Sequence, residues 1–333
     1  MTSGLRIAVA GATGTLGREL LSVLEARDLP VDRLVPIATD RSTGREVEFA
    51  GETLSVECEL PQLAIFDLLI ICTPPDVALD LVRAALRAEV GCIDCSGALA
   101  DSSEVPFVVA DLIPPSAVLG APLVSAPAGP ALAWALVLRA IEQAAGLRRV
   151  VGTVLQSVSS SGRDGIDALS GETLALLRQE EVPEPSAFPV QIAFDCVPTV
   201  GTRVPGEDTS SAESLLIRDL GRLLENLPKI ALSALQVPTF VGDGSALTIE
   251  TERPLSPEDA REVLDKAPGV EVWDADGIGP TTRDCAGRDQ ALVGRVRRDP
   301  SLASGLMLWL AADPVRLAAV NAVKLAEARL RLQ

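Results

Sequence analysis

The chain has 333 residues, of which 47% are hydrophobic, and this is enough for two folded domains with a sizeable core. Its formal net charge of −17 argues against a nucleic-acid or anionic-membrane partner, because phosphate contacts require clustered Lys and Arg. The sequence contains no apolar stretch long enough to span a bilayer and no N-terminal signal-peptide pattern, so we expect a cytoplasmic protein.

Histidine and tyrosine are both absent from the sequence. Without His no imidazole can act as a general base, and without Tyr the Tyr–Lys pair of short-chain dehydrogenases is excluded. Of the six cysteines, Cys92 and Cys95 are closely spaced, but on a strand their side chains point to opposite faces. We therefore expect buried free thiols and no metal site.

The N-terminal segment predicts a strand, a glycine turn and a helix. Ile7 to Ala10 is a short apolar run, and leucines recur at helical spacing beyond Arg18. Glycines in such a turn let the backbone approach a pyrophosphate, whose charge the helix N-terminus favours. The GxxGxxG spacing alone also fits an ordinary tight turn, but its position after an N-terminal strand favours a dinucleotide site. The residues expected to contact the cofactor here are Gly11, Thr13, Gly14, Thr15, Leu16 and Gly17.

The predicted second strand, 33–39, ends at Asp40, Arg41 and Ser42. An acid at this point suits the free 2′-hydroxyl of an adenosine ribose, whereas Arg with Ser suits a 2′-phosphate. We favour the phosphate, contacted by Arg41 and Ser42, and hence NADP over NAD. The alternative is that Asp40 and Arg41 are only solvent-exposed loop residues and contact no cofactor.

The remaining pattern predicts an α/β fold with two domains. In the first domain, the sequence predicts an edge hairpin at 46–59, a helix at 77–88, and strands at 66–72, 90–95, 106–110 and 118–125. In the second, it predicts helices at 131–141, 164–179, 210–224 and 257–266, and strands at 148–159, 230–240, 246–251, 270–272, 291–297 and 306–311. A final helix at 313–332 is expected to return to the first domain. The predicted domains are 1–130, completed by 313–333, and 131–312.

Several motifs in the same order resemble those of the aspartate-semialdehyde dehydrogenase family. They are GATGTLG at 11–17, ATDRSTG at 38–44, GCIDCSGALA at 91–100, LQSVSSSG at 155–162 and LMLWLAADPVRLAAVNAV at 306–323. The resemblance implies a Rossmann-type N-terminal domain that binds NADP, with Asn321 among its cofactor residues. It also implies an α/β substrate and dimerisation domain, a homodimer, and reductive dephosphorylation of aspartyl phosphate. In that reaction a cysteine forms a thioester and a histidine is the acid and base.

Matched to these motifs, the chain departs from the family at its chemical positions. Gly129 in VSAPAGPALA stands at the nucleophile, and QVPTFVGDG puts Gln236 at the substrate-carboxylate Arg and Asp243 at the His. Ala100 and Leu215 stand where the family binds phosphate through Arg and Lys. The positions that keep the family's residue are Gln156, Glu213 and Asn321.

Loss of a nucleophile and its base typically costs on the order of 10⁴ to 10⁶ in rate. We therefore expect a non-catalytic paralogue, a pseudoenzyme, that keeps the cofactor fold and the dimer. One alternative is a migrated nucleophile at Cys72 or Cys95, which lie at the carboxyl ends of predicted parallel strands, where ligands bind in open α/β sheets.

A second alternative is a hydride transfer without a covalent intermediate, in a pocket around Gly129, Gln156, Gln236 and Asp243. Asp243 would then be a weak base, although Gly-Asp-Gly is typical of a solvated turn, which we favour here. N-acetyl-glutamyl-phosphate reductase is a related family, but it also relies on cysteine and histidine.

Overall fold

The structure is a computed structural model that describes residues 4–39, 42, 44–114, 116, 120–274 and 277–330. The chain forms two compact units. Unit 1 comprises Met1–Ala128 and Ala318–Gln333, and unit 2 comprises Gly129–Leu317. Within the described ranges, no helix is both long and apolar enough to cross a membrane.

Unit 1 is built on a five-stranded parallel sheet. Its elements are β1 (Leu5–Ala10), α1 (Thr15–Ala26), β2 (Val31–Ile37), β3 (Glu46–Phe49), β4 (Glu52–Ser55), β5 (Leu68–Ile71), α2 (Pro75–Arg87), β6 (Gly91–Asp94) and β7 (Leu123–Ser125). The strand order is β2-β1-β5-β6-β7, while β3 and β4 form a separate antiparallel hairpin. Strand β5 is buried throughout, as expected for a continuous apolar run between two parallel neighbours.

The sheet of unit 1 separates two hydrophobic cores. Cys92 packs in one and Cys95 in the other, which confirms that their side chains leave β6 on opposite faces. The strand predicted at 106–110 is wrong, because the only pairing here is an isolated bridge between Phe107 and Ser125. Asn321 bonds the Val108 carbonyl and the Ala110 amide, and so occupies groups that a longer strand would pair.

Unit 2 contains a mixed six-stranded sheet in the order β11-β12-β13-β10-β8-β9. Its elements are α3 (Pro130–Ala145), β8 (Leu147–Gln156), α4 (Gly162–Arg178), α5 (Ser211–Leu223), β9 (Lys229–Gln236), β10 (Asp243–Thr251), α6 (Pro257–Asp265), β11 (Val270–Val272), β12 (Ala291–Arg298), β13 (Gly305–Ala312) and α7 (Pro314–Leu330). Helix α7 passes from unit 2 into unit 1 after Leu317.

Helix α3 packs closely on one face of this sheet. Its Trp134 is fully buried, and the indole Nε1 donates to the Ser245 hydroxyl on β10 at 3.0 Å. Gly152 on β8 lies directly against the indole ring, which leaves no space for a Cβ atom. This close approach fixes α3, and therefore the start of the helix at Pro130, relative to the first residues of β10.

Candidate dinucleotide and substrate sites

The glycine turn after β1 is tightly packed and leads directly into the start of α1. Gly11 has a φ of +81°, and a Cβ atom there would lie 2.6 Å from the Cys72 carbonyl oxygen. Gly17 faces the Gly11 carbonyl so closely that it too has no room for a side chain. Helix α1 begins at Thr15 without a side-chain cap and without an acidic residue in its first turn. The amides of this helix start therefore suit a phosphate.

Ser42 is joined to this turn by a hydroxyl contact. Its Oγ lies 3.0 Å from Thr13 Oγ1, and the residue is 5% exposed. The structure thus brings together two of the predicted cofactor residues from the turn and from the end of the second strand. The predicted 2′-phosphate ligand Arg41 and its neighbour Asp40 lie outside the described residues.

Both polar atoms of the Asn321 side chain are hydrogen-bonded to the backbone of unit 1. The residue is 4% exposed; its Oδ1 accepts from Ala110 N at 2.7 Å, and its Nδ2 donates to Val108 O at 3.0 Å. The amide thus fixes the loop that follows Phe107. A contact between Asn321 and the dinucleotide stays a prediction.

In unit 2, the two glutamines predicted in the substrate pocket lie side by side. Gln156 and Gln236 end the parallel neighbours β8 and β9 and are paired in register. The Gln236 Nε2 donates to the Gln156 carbonyl at 2.8 Å, and Gln236 is only 2% exposed. The side-chain amide of Gln236 is therefore hydrogen-bonded to the backbone within the sheet. This is the position predicted to correspond to the family's Arg.

Glu213 binds main-chain amides through both of its carboxylate oxygens. One accepts from Ser210 N at 2.7 Å in a capping box, which confirms Ser210 as the cap of α5. The other accepts from Ala234 N on β9 at 3.0 Å. This carboxylate therefore fastens α5 to the sheet.

Asp243 is buried at the first position of β10 and is 4% exposed. The expectation of a solvated turn residue is wrong, because Asp243 pairs with Ala312 of β13 and so lies inside the sheet. Its Oδ1 accepts from Ser157 N at 2.8 Å and from Ser157 Oγ at 2.9 Å. Its Oδ2 is also buried and has no hydrogen-bond partner in the described part of the chain.

Burial, opposed by the two Ser157 hydrogen bonds and aided by the nearby Asp313 charge, raises the pKa of Asp243 to about 7. A carboxyl that gains and loses its proton near neutral pH is suited to proton transfer. Asp243 is therefore the candidate proton donor or acceptor in this part of unit 2.

Gly129 and Asp243 share a cavity of about 10 Å³, enough for about one water molecule. The residues that line it are Gly129, Pro130, Ala133, Trp134, Asp243, Ser245, Leu310, Ala312 and Pro314. Gly129 caps α3 with φ 61° and ψ −150°, and nothing lies within 4 Å of the place where its Cβ would be. Among these lining residues there is no thiol and no cationic side chain, so Asp243 has no counter-charge in the cavity.

Comparison with known proteins shows the family to which this chain belongs. The family model described as "Semialdehyde dehydrogenase, NAD binding domain" matches residues 6–119, and "Semialdehyde dehydrogenase, dimerisation domain" matches 138–317. The chain is 32% identical to aspartate-semialdehyde dehydrogenase of Aquifex aeolicus, over 97% of both chains. It belongs to the aspartate-semialdehyde dehydrogenase family. The α/β fold with a Rossmann-type NAD(P)-binding domain and a dimerisation domain is thereby confirmed.

Two further members of this family are similar along nearly their whole length. A crystal structure of aspartate semialdehyde dehydrogenase II from Vibrio cholerae, complexed with ASA, superposes with a TM-score of 0.94 at 31% identity, covering 99% of each chain. A protein of Azotobacter vinelandii named "USG-1 protein homolog" is 35% identical over 98% of both chains. The chain thus resembles members named for the enzyme activity and one whose name states none.

Two positions predicted for the substrate pocket carry apolar side chains. Ala100 is buried in the turn after β6, at 1% exposure. Leu215 lies on α5 and is 46% exposed. Neither can bind a phosphate through charge.

The buried cysteines of this family member are held as thiols. The neighbouring Cys72 thiol, together with burial, keeps the pKa of Cys95 well above its usual value. Burial likewise raises the pKa of Cys92 and of Cys285 to about 12. Protonated thiols are poor nucleophiles, so the structure gives no support to a migrated nucleophile at Cys95. Across the described ranges, no group of three or more Cys, Asp or Glu side chains is arranged to hold a metal ion.

The expectation that every thiol is buried is wrong at three positions. Cys196 is exposed, and Cys58 and Cys72 are partly exposed. Cys196 and Cys58 lie in connecting segments, which run over the surface and leave their side chains accessible.

Three residues near Asp243 escaped the sequence prediction: Ser157, which donates to its carboxylate, and Ser245 and Trp134, which line the cavity. Ser157 directly follows Gln156, and Ser245 lies two positions after Asp243 on the same face of β10. That alternation was a signal for Ser245. Trp134 carried no signal beyond its place in an apolar helix, because its contact with β10 is set by tertiary packing.

Proposed function

We propose that this chain is a dinucleotide-binding member of the aspartate-semialdehyde dehydrogenase family that does not catalyse the phosphorylating dehydrogenase reaction. The observation that carries the proposal is the cavity shared by Gly129 and Asp243, which holds an unpaired carboxylate in place of a thiol and its base. Without a thiol, the aldehyde forms no thiohemiacetal and therefore no thioester. Such a loss lowers the rate by on the order of 10⁴ to 10⁶.

Recognition of an anionic substrate is also unsupported by the residues present. The three positions for cationic groups carry Ala100, Leu215 and Gln236, and the Gln236 amide is bonded to Gln156. A charge-assisted contact is worth roughly 1.5–3 kcal/mol, so the absence of these cationic groups would weaken binding of aspartyl phosphate by several kcal/mol. The unpaired Asp243 carboxylate adds repulsion whenever it is ionised.

The residues of unit 1 fit a nicotinamide dinucleotide. Gly11 and Gly17 let the turn fold tightly against its own backbone, and α1 begins directly after it without a side-chain cap, so its first amides suit a phosphate. When bound, the dinucleotide supplies the hydride acceptor or donor of the family's reaction. We favour NADP over NAD, with Ser42 and Arg41 at the 2′-phosphate, because Ser42 lies against Thr13 of the turn.

We also propose a homodimer formed through unit 2. Ala246 is exposed although it lies on β10, an interior strand of the six-stranded sheet. Its neighbours across the strands are Thr153 and Trp309, both only half-buried. This face of the sheet points away from Trp134, and an apolar sheet face with no covering layer needs a partner.

Steady-state assays test the catalytic half of the proposal. The full chain is incubated at high concentration with aspartate semialdehyde, phosphate and NADP, with the Aquifex aeolicus enzyme as positive control, and NADP binding is followed by calorimetry. We expect binding without NADPH formation. Phosphate-dependent turnover that Cys72→Ser or Cys95→Ser abolishes would show a migrated nucleophile and overturn the proposal.

A second candidate function is an oxidoreductase that transfers hydride without a covalent intermediate. It is favoured by Asp243, whose pKa of about 7 and unpaired Oδ2 suit a general base. Such an enzyme would oxidise a small neutral or cationic alcohol or aldehyde hydrate with NADP, and Asp243→Asn would abolish this turnover. A screen of such substrates that yields no NADPH rules this candidate out.

A further inference from the structure

The turn at 192–195 holds an aromatic residue in a backbone conformation that favours glycine. The Asp195 amide donates to the Ile192 carbonyl at 3.1 Å, which closes a four-residue turn with Phe194 at its third position. Phe194 has a φ of 64°. Turns with a positive φ at this position usually carry Gly or Asn there, because a bulky side chain is strained in that conformation. Such strain persists in proteins mainly where it serves a function.

The residues before Phe194 are held in place by several contacts. The buried carboxylate of Glu172 on α4 accepts from Ile192 N and from Ala193 N, both at 2.8 Å. The Gln191 Nε2 donates to Ala193 O at 3.0 Å. Ile192 and Ala193 are 0% and 1% exposed and belong to a small hydrophobic core. These contacts fix the turn, and none of them uses the Phe194 ring.

The Phe194 side chain contributes little to the fold of its own chain. The residue is 68% exposed, more than any other phenylalanine of the sequence, and Val190 on the same segment is 49% exposed. Exposed aromatic side chains are the commonest anchors of protein–protein interfaces. A turn that is already rigid lowers the entropic cost of burying such a side chain against a partner. The Phe194 ring therefore suits a protein surface outside its own chain.

The segment that carries Phe194 continues into the edge of the six-stranded sheet. Val197 and Gln236 exchange two backbone hydrogen bonds, each of 2.9 Å, at the end of the edge strand β9. The exposed sheet face proposed as the dimer interface also reaches β9, because Ser233 is exposed and pairs with Thr153. The segment lies within the part of the chain that the dimerisation-domain model matches. Continuity with this face favours a second copy of the chain as the partner.

We propose that Phe194 is an anchor of the homodimer and packs against the surface of the partner copy. The inference rests on the homodimer of the proposed function and adds to it the side chain that supplies much of the affinity. A symmetric interface uses the same patch on both copies, so each dimer contains this contact twice. The strained turn is then retained because it presents the ring, although glycine would suit the backbone better.

Sedimentation equilibrium of the full chain measures the monomer–dimer Kd. Phe194→Ala and Phe194→Gly both remove the ring, and each should raise the Kd by about 10- to 100-fold. Phe194→Gly should also unfold at a higher temperature than Phe194→Ala, because glycine adopts a positive φ without strain. Glu89→Gly is the matched control, since Glu89 is exposed in unit 1 with a φ of 55°. Its Kd should equal that of wild type.

Photochemical cross-linking locates the contact directly. Phe194→p-benzoylphenylalanine, irradiated with ultraviolet light, should link two copies into a covalent dimer, whereas Glu89→p-benzoylphenylalanine should not. A wild-type chain that is monomeric at every concentration would remove the proposed homodimer, and this inference with it. A wild-type dimer whose Kd is unchanged in both Phe194 variants, or that gives no cross-link from position 194, would overturn this inference alone.

Discussion

Asp243 accepts both of its hydrogen bonds from Ser157, and both fall on the same carboxylate oxygen. Ser157 N and Oγ lie 2.8 Å and 2.9 Å from Oδ1, while the buried Oδ2 has no partner among the described residues. One carboxylate oxygen is therefore stabilised by hydrogen bonds and the other is not, and Asp243 lines a cavity with room for about one water molecule. The two Ser157 bonds lower the pKa of Asp243, but burial outweighs them and raises it to about 7.

Asp243→Asn should stabilise the protein above neutral pH. The carboxyl has a pKa of about 7 in the folded state, against about 3.9 when unfolded. Between these values only the folded state holds the proton, so the stability due to this group falls as the pH rises. At about 1.36 kcal/mol per pKa unit, the free energy of unfolding of the variant relative to wild type should rise by on the order of 4 kcal/mol between pH 4 and pH 8.

Urea unfolding at several pH values measures this difference. Asp208→Asn is the matched control, since its side chain is fully exposed and the same charge is removed at the surface. Its free-energy difference from wild type should stay nearly constant with pH. If the free energy of unfolding of Asp243→Asn differs from that of wild type by an amount that is equally independent of pH, the pKa of Asp243 is not raised by folding.

Gly129→Cys should destabilise the fold without restoring turnover. The φ of 61° and ψ of −150° are a region that is essentially restricted to glycine, and a side chain there costs about 1–3 kcal/mol. Because no atom lies within 4 Å of the Cβ position, the cost comes from the backbone and not from a clash. Gly129→Ala is the control and should lose the same stability in urea unfolding. A cysteine variant as stable as wild type, and active with aspartate semialdehyde, would contradict this prediction.

Arg41→Ala should weaken NADP binding and leave NAD binding unchanged. A charge-assisted contact with the 2′-phosphate is worth roughly 1.5–3 kcal/mol, which corresponds to about a 10- to 150-fold loss of affinity. Calorimetric titration with each dinucleotide measures the change, and Arg45→Ala, an exposed arginine beyond the turn, serves as the control. Equal losses for NADP and NAD would remove Arg41 from the 2′-phosphate site.

Ala246→Asp should convert the proposed homodimer to a monomer. The substitution places a charge at the centre of the exposed sheet face, beside Thr153 and Trp309, where burial of an unpaired charge costs several kcal/mol. Ala303→Asp, in the exposed turn before β13, should leave the dimer intact. Sedimentation equilibrium distinguishes the two. If the Ala246→Asp variant remains a dimer, its interface must lie on another surface.

Local sequence pattern was sufficient for features that short segments determine. The glycine turn, the Ser210 cap of α5 and the buried run of β5 each depend on residues adjacent in sequence, and the structure contains all three. Asp243 is the opposite case. Gly-Asp-Gly has the composition of a turn, but the burial of Asp243 is decided by Ala312 on β13, a residue distant in sequence.

The Gln236 side chain shows the same limit at the substrate position. Its replacement of an arginine is visible in the sequence, whereas its hydrogen bond to the Gln156 carbonyl depends on the register of β8 and β9. Pairing between strands that are separated by long segments is not encoded in either strand alone. The sequence therefore showed which residue types occupy the predicted site positions, but not the hydrogen bonds that their side chains make.

A single-turnover experiment without phosphate tests the missing thiol most directly. The full chain, at a concentration comparable with that of NADP, is mixed with aspartate semialdehyde, and NADPH absorbance and the intact mass are followed. An enzyme that forms a thioester gives one NADPH per active site and an acyl adduct, even when no phosphate is present to release it. We predict neither a burst nor an adduct. A stoichiometric burst, or an acyl group on any cysteine, would contradict the proposal that this chain is a non-catalytic member of its family.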